Sequence, residues 1–221
     1  MHEGSPINLT RFRAAIFDLD GTLVDSEPAW EAAKHAVAAR HGCRISEAQI
    51  LASVGRSMDE LVAQVFEPAT PEAARAIEEE VFAAVDAWMP SLRRPIPGAA
   101  DFLRELHGRG LRIALCSSSP ERLIRDALEQ IGVLDVVEVI VSADPLPRRK
   151  PDPMPYEVTV KTLGLPPEAV IVFEDAIAGV RSARGAGLFT AGIGPEVAAP
   201  EFDICDLRAP DYPAMRAALN M

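Results

Sequence analysis

Two carboxylates stand two residues apart, Asp18 and Asp20, where the short apolar run Ala14, Ala15, Ile16, Phe17 comes to an end. Gly21 and Thr22 follow at once. The apolar run reads as a buried strand, and Gly21 permits the tight turn by which a loop folds around a small anion. Acids at a strand tip are placed for covalent attack by one carboxylate and proton transfer by the other. The pair Asp20-Gly21 also reads as an ordinary Asx-turn.

Three further segments put polar groups at the ends of apolar runs. Ser117, Ser118 and Ser119 leave a run over 112–116 and precede Pro120 and Glu121, a position that suits either a hydroxyl donor to an anion or helix caps. Arg148-Arg149-Lys150-Pro151-Asp152-Pro153 contains one of only three lysines among 22 Lys and Arg residues. A compact ammonium fits between two anions where a broad guanidinium does not, and a solvated basic turn is the plainer reading of the two arginines. Glu174 and Asp175 follow the run 170–173. They suit a helix N-terminus, and beside Asp18 they also suit a magnesium site, which takes a few hard oxygen ligands.

In this order the four segments resemble the four motifs of the haloacid dehalogenase superfamily of phosphotransferases, over residues 14–194. The resemblance implies Asp18 as nucleophile, Asp20 as general acid and base, Ser117 as donor to a phosphate oxygen, and Lys150 as the cation that neutralises nucleophile and phosphoryl group. Gly21, Thr22 and Ser118 fall on the substrate side, with Ser118 and Ser119 also read as caps. It further implies Mg²⁺ held by Asp18, the Asp20 carbonyl, Asp175 and, directly or through water, Glu174. Ser53-Val54-Gly55-Arg56-Ser57 is similar to the family's specificity loop, Gly55 giving a bend and Arg56 reaching a second part of the substrate, unless Arg56 is a surface arginine beside a helix start. Met154 departs from the acid the family often has after the second proline.

Asp20 sets the chain apart from the dehalogenase branch, which lacks an acid there. The stretch Ser26-Glu27-Pro28-Ala29-Trp30 looks like that of bacterial sugar-phosphate phosphatases. β-Phosphoglucomutases carry a His where this chain has Trp30, whose indole donates a hydrogen bond but cannot relay a proton. The expected activity is hydrolysis of a small phosphorylated metabolite, a sugar phosphate, through an aspartyl phosphate. A β-phosphoglucomutase-type transfer is the alternative, and a catalytically silent binding protein on the same fold is a third reading.

The elements that must position these residues follow from periodicity. Strands over 112–116, 136–142, 170–173 and 188–192 alternate with helices over 99–109, 120–131, 156–163 and 176–186. This predicts an α/β fold: a Rossmann-like parallel sheet with helices on both faces. Residues 27–90 are almost wholly helical in pattern and predict an all-helical cap inserted as a lid, leaving 1–26 and 91–221 as the core, with a Pro-rich linker at 90–98. The chain has 221 residues and a formal net charge of −11, which argues against nucleic acid and anionic lipid as partners. With no signal-peptide pattern and no run of 18 apolar residues, a cytoplasmic protein, monomeric or weakly dimeric, is expected. Cys43, Cys116 and Cys205 lack disulfide or zinc spacing, and Cys116 reads as core packing.

Overall fold

Apolar runs without a polar face must be covered on both sides, and this requirement dictates a layered fold. In a computed structural model that describes residues 7–53 and 58–221, six strands, the four inner ones buried almost throughout, form one parallel sheet. They are β1 (Ala14–Phe17), β4 (Arg112–Ser117), β5 (Val137–Ser142), β6 (Val170–Glu174), β7 (Phe189–Ile193) and β8 (Leu207–Ala209). Two-residue strands β2 (Val24–Asp25) and β3 (Arg94–Pro95) mark where the chain leaves and rejoins this unit.

The sheet order is β5-β4-β1-β6-β7-β8. The chain therefore builds outward from β1 in one direction and then, from β6, in the other. Ligands of open α/β sheets bind beyond the carboxyl ends of the strands at such a reversal. Register brings three strand ends level there, with Phe17 beside both Leu115 and Phe173.

Helices cover both faces. On one, α5 (Ala99–Gly108), α6 (Glu121–Gln130) and α9 (Tyr212–Ala218) supply Phe102, Leu128 and Tyr212 to a core with Phe17 and Phe173, whose rings stack at 4.8 Å. On the other, α7 (Met154–Leu163) and α8 (Ile177–Gly185) pack Tyr156, Leu163 and Ala183 against Ala14, Ile16 and Val172. The parallel sheet with helices on both faces is what the strand and helix alternation predicts. The alternation legible in sequence ends before β8 and α9, whose short strand and seven-residue helix carry little periodic signal.

The second unit, Ser26–Arg94, contains α1 (Glu27–Arg40), α2 (Glu47–Ser53), α3 (Met58–Phe66) and α4 (Pro71–Leu92). Helix α4 buries Ile77, Val81, Val85 and Met89 along one stripe, and α1 buries Ala29, Ala33 and Val37. The predicted linker start at Pro90 needs correction, because α4 continues to Leu92 with Pro90 inside it. Proline this close to a helix end removes only one donor, and the Arg93 N–H still closes on the Met89 carbonyl at 3.0 Å. Among the described residues no helix is long and apolar enough to cross a membrane.

Candidate active site

The level ends of β1, β4 and β6 place Asp18, Ser117 and Glu174 together, with Asp175 one residue beyond. The Asp18 N–H continues the ladder to the Phe173 carbonyl at 3.0 Å, which fixes the start of the loop. Lys150 enters from the turn before α7. Its Nζ donates to Asp18 Oδ1 at 2.7 Å, Glu174 Oε1 at 2.6 Å and the Cys116 carbonyl at 2.9 Å, so all three of its protons are used. The side chain is only 7% exposed. Burial disfavours the ammonium, but Asp18 and Glu174 outweigh it and hold Lys150 well above the ordinary lysine range. Burial pushes Asp18 well above the ordinary carboxylate range despite Lys150, and Glu174, Asp175 and Asp20 add to that.

One carboxylate oxygen each from Asp18, Glu174 and Asp175 lie within 4.8 Å of one another. A single ammonium leaves these acids with an excess of buried negative charge. Burial first, and then Glu174, pushes Asp175 up to about 7, although Thr22 Oγ1 donates to it at 3.1 Å. Hard oxygen donors crowded at this spacing fit a small divalent cation, which would relieve the repulsion.

Glycine makes the crowding feasible at two points. Gly21 has φ +84°, and a Cβ there would overlap the Asp175 carboxylate; a Cβ on Gly179, in α8, would overlap the carboxylate of Glu174. The Gly21 turn anticipated around an anion thus closes on Asp175. Thr22, read as a substrate contact, is buried with its hydroxyl on the same acid, while its carbonyl accepts from the Tyr212 hydroxyl at 2.8 Å.

The serine run is organised differently from a cap. Asp20 Oδ2 accepts from Ser119 Oγ at 2.7 Å, the Ser119 N–H donates to Ser117 Oγ at 3.0 Å, and the Ser119 carbonyl accepts from Ser142 Oγ at 2.8 Å. The N-cap of α6 is Pro120, without a side-chain hydrogen bond, so the cap reading of Ser118 and Ser119 is corrected. Both lie before the cap position, where the Asp20 carboxylate is the acceptor within reach of Ser119. Ser117 is buried and Ser118 exposed. Gly55 and Arg56 lie outside the described residues. Cys116 is buried in the core, its thiol pushed up to about 11 by burial.

Sequence reasoning missed Tyr156, six residues after Lys150. Its hydroxyl donates to Glu174 Oε1 at 2.5 Å, and Lys150 Nζ lies 5.0 Å from its ring centroid. The only available signal was a tyrosine one turn into a helix that begins beside a candidate site lysine.

The model of the haloacid dehalogenase-like hydrolase family matches residues 15–193. Among similar proteins, a phosphoglycolate phosphatase of Cereibacter sphaeroides is 36% identical over 178 residues, 78% of this chain and 81% of that protein. Hexitol phosphatase A of Escherichia coli is 33% identical over 197 residues, 89% of this chain and 90% of that protein. The crystal structure of CbbY from Rhodobacter sphaeroides in complex with phosphate shares the fold, with a TM-score of 0.79 at 23% identity over 95% of this chain and 100% of that one. With a family model spanning most of the chain and relatives this similar over most of their length, the chain belongs to the haloacid dehalogenase-like hydrolase family.

Proposed function

We propose that the protein is a Mg²⁺-dependent phosphomonoesterase acting on a small phosphorylated metabolite of the sugar-phosphate class. The observation that carries this reading is the sharing of Lys150 between Asp18 and Glu174 at 2.7 and 2.6 Å, with Asp20 held separately by Ser119. One acid is thereby placed beside a cation that can neutralise an attacked phosphate, and another is kept apart for proton transfer. The relatives named for phosphoglycolate and hexitol phosphates support the substrate class.

In this reading Asp18 attacks phosphorus, the bond from phosphorus to the ester oxygen breaks, and Asp20 gives its proton to the departing alkoxide. Asp20 then takes a proton from the water that attacks the aspartyl phosphate, which releases inorganic phosphate and restores Asp18. Lys150 and the Ser117 hydroxyl offset the negative charge on the phosphoryl oxygens. Asp18, Glu174 and Asp175 would hold Mg²⁺, with the Asp20 carbonyl as a further donor; the ion supplies Lewis-acid stabilisation of phosphoryl charge.

The test is phosphate release from phosphoglycolate, hexitol phosphates and glucose phosphates by purified protein with Mg²⁺, with EDTA abolishing it. Asp18→Asn should lose nearly all activity while circular dichroism remains unchanged. Near-wild-type turnover by that variant, with deamidation excluded by mass spectrometry, would sink the mechanism. Incubation with β-glucose 1-phosphate and catalytic glucose 1,6-bisphosphate separates hydrolase from mutase. Glucose 6-phosphate forming much faster than inorganic phosphate would favour the mutase.

A further inference from the structure

Both side-chain donors that reach Glu174 among the described residues fall on Oε1: Lys150 Nζ at 2.6 Å and the Tyr156 hydroxyl at 2.5 Å. The whole carboxylate group lies against the backbone of Gly179, where a Cβ would overlap Oε1, the carboxyl carbon and Oε2 alike. Tyr156 is fully buried in the first turns of α7, and its ring carries Lys150 at 5.0 Å. The tyrosine therefore touches both Glu174 and the lysine that shares its Oε1, and it does so from a helix anchored in the core by Val160 and Leu163.

A carboxylate with free rotation about its last torsion can offer either oxygen, or both, to an ion. A carboxylate gripped at one oxygen by two donors and walled by a glycine offers only the other, in one orientation. Donors of this kind, standing behind a ligand and not touching the ion, set ligand orientation and with it metal affinity.

We propose that Tyr156 is a positioning residue for the metal site: its hydroxyl pins Glu174 Oε1 so that Oε2 faces the cation shared with Asp18 and Asp175. The inference rests on the metal reading above. The loop hydroxyls of Thr22 and Ser119 are engaged elsewhere, with Asp175 and Asp20.

The test is Tyr156→Phe in the full-length protein, a change that keeps the ring, its packing and its position under Lys150. Isothermal titration calorimetry with Mg²⁺ alone, without substrate, should give a dissociation constant raised about 10-fold or more. In a Glu174→Gln background the same change should leave the Mg²⁺ affinity where Glu174→Gln alone puts it. An unchanged dissociation constant with a lowered melting temperature in EDTA would overturn the inference by making the hydroxyl purely structural. So would loss of the folded circular dichroism spectrum at saturating Mg²⁺. Absence of Mg²⁺ binding by the wild-type protein is a different result: it would overturn the metal reading itself, and the inference with it.

Discussion

The Ser119 hydroxyl donates to Oδ2 of Asp20 at 2.7 Å, joining the loop after β1 to the tip of β4. An acid that must hand over a proton at one place benefits from such a fixed partner. Asp20→Asn should therefore slow hydrolysis of an alkyl phosphate by about 10²–10⁴-fold and that of an aryl phosphate much less, since only the alkoxide needs a proton. Ser119→Ala should show the same pattern in smaller degree. Steady-state kinetics on both esters decides the matter, and equal losses on the two would remove Asp20 from proton transfer.

Asp175 yields a pH prediction. Its carboxyl is raised from 3.8 to about 7, by burial first and Glu174 second, so the folded chain binds more protons than the unfolded chain between those values. Stability of the metal-free protein should then fall as pH rises through that window, and Asp18, also raised by burial, contributes with the same sign. Mg²⁺ must displace these protons, so its stabilising effect grows with pH. Thermal unfolding with and without Mg²⁺ should show a larger rise in melting temperature at about pH 8 than at about pH 5. Equal rises would mean that these acids do not hold the ion.

Gly179 occupies a helix, where alanine would ordinarily add stability of about 1 kcal/mol. Here the added methyl would meet the Glu174 carboxylate. Gly179→Ala should keep the fold yet lower kcat/KM and Mg²⁺ affinity by about 10–100-fold. Kinetics across a Mg²⁺ titration would reveal it, and wild-type values would show that Glu174 has another place to go.

Tyr212→Phe tests the hold of the C-terminal helix on the Thr22 loop. Thr22 is fully buried, and without the Tyr212 hydroxyl its carbonyl loses a donor seated at 2.8 Å. Urea denaturation should register a loss of about 1–3 kcal/mol, with the ring's contact to Phe102 preserved. An unchanged midpoint would mean that water or another donor takes the place of the hydroxyl.

Asp18, Lys150 and Asp175 were legible in the chain because each stands beside an apolar run or a proline-bounded turn, and such punctuation is local. The parallel sheet was legible for the same reason, since two-sided burial leaves strands without a polar face. Pairings between side chains were not. Ser119 meets Asp20 across 99 residues and Tyr212 meets Thr22 across 190, and nothing near either hydroxyl in sequence says which acceptor it will find. Ser119 followed by Pro120 satisfies the local rule for a helix cap, yet strand register set it beside Asp20. Gly179 lies inside a predicted helix and Tyr156 at the start of one, and only their closeness to Glu174 ties either to the site. Periodicity encodes which face of an element is buried; only the pairing of strands in register, which brings the ends of β1, β4 and β6 level, decides which polar groups share the space beyond them.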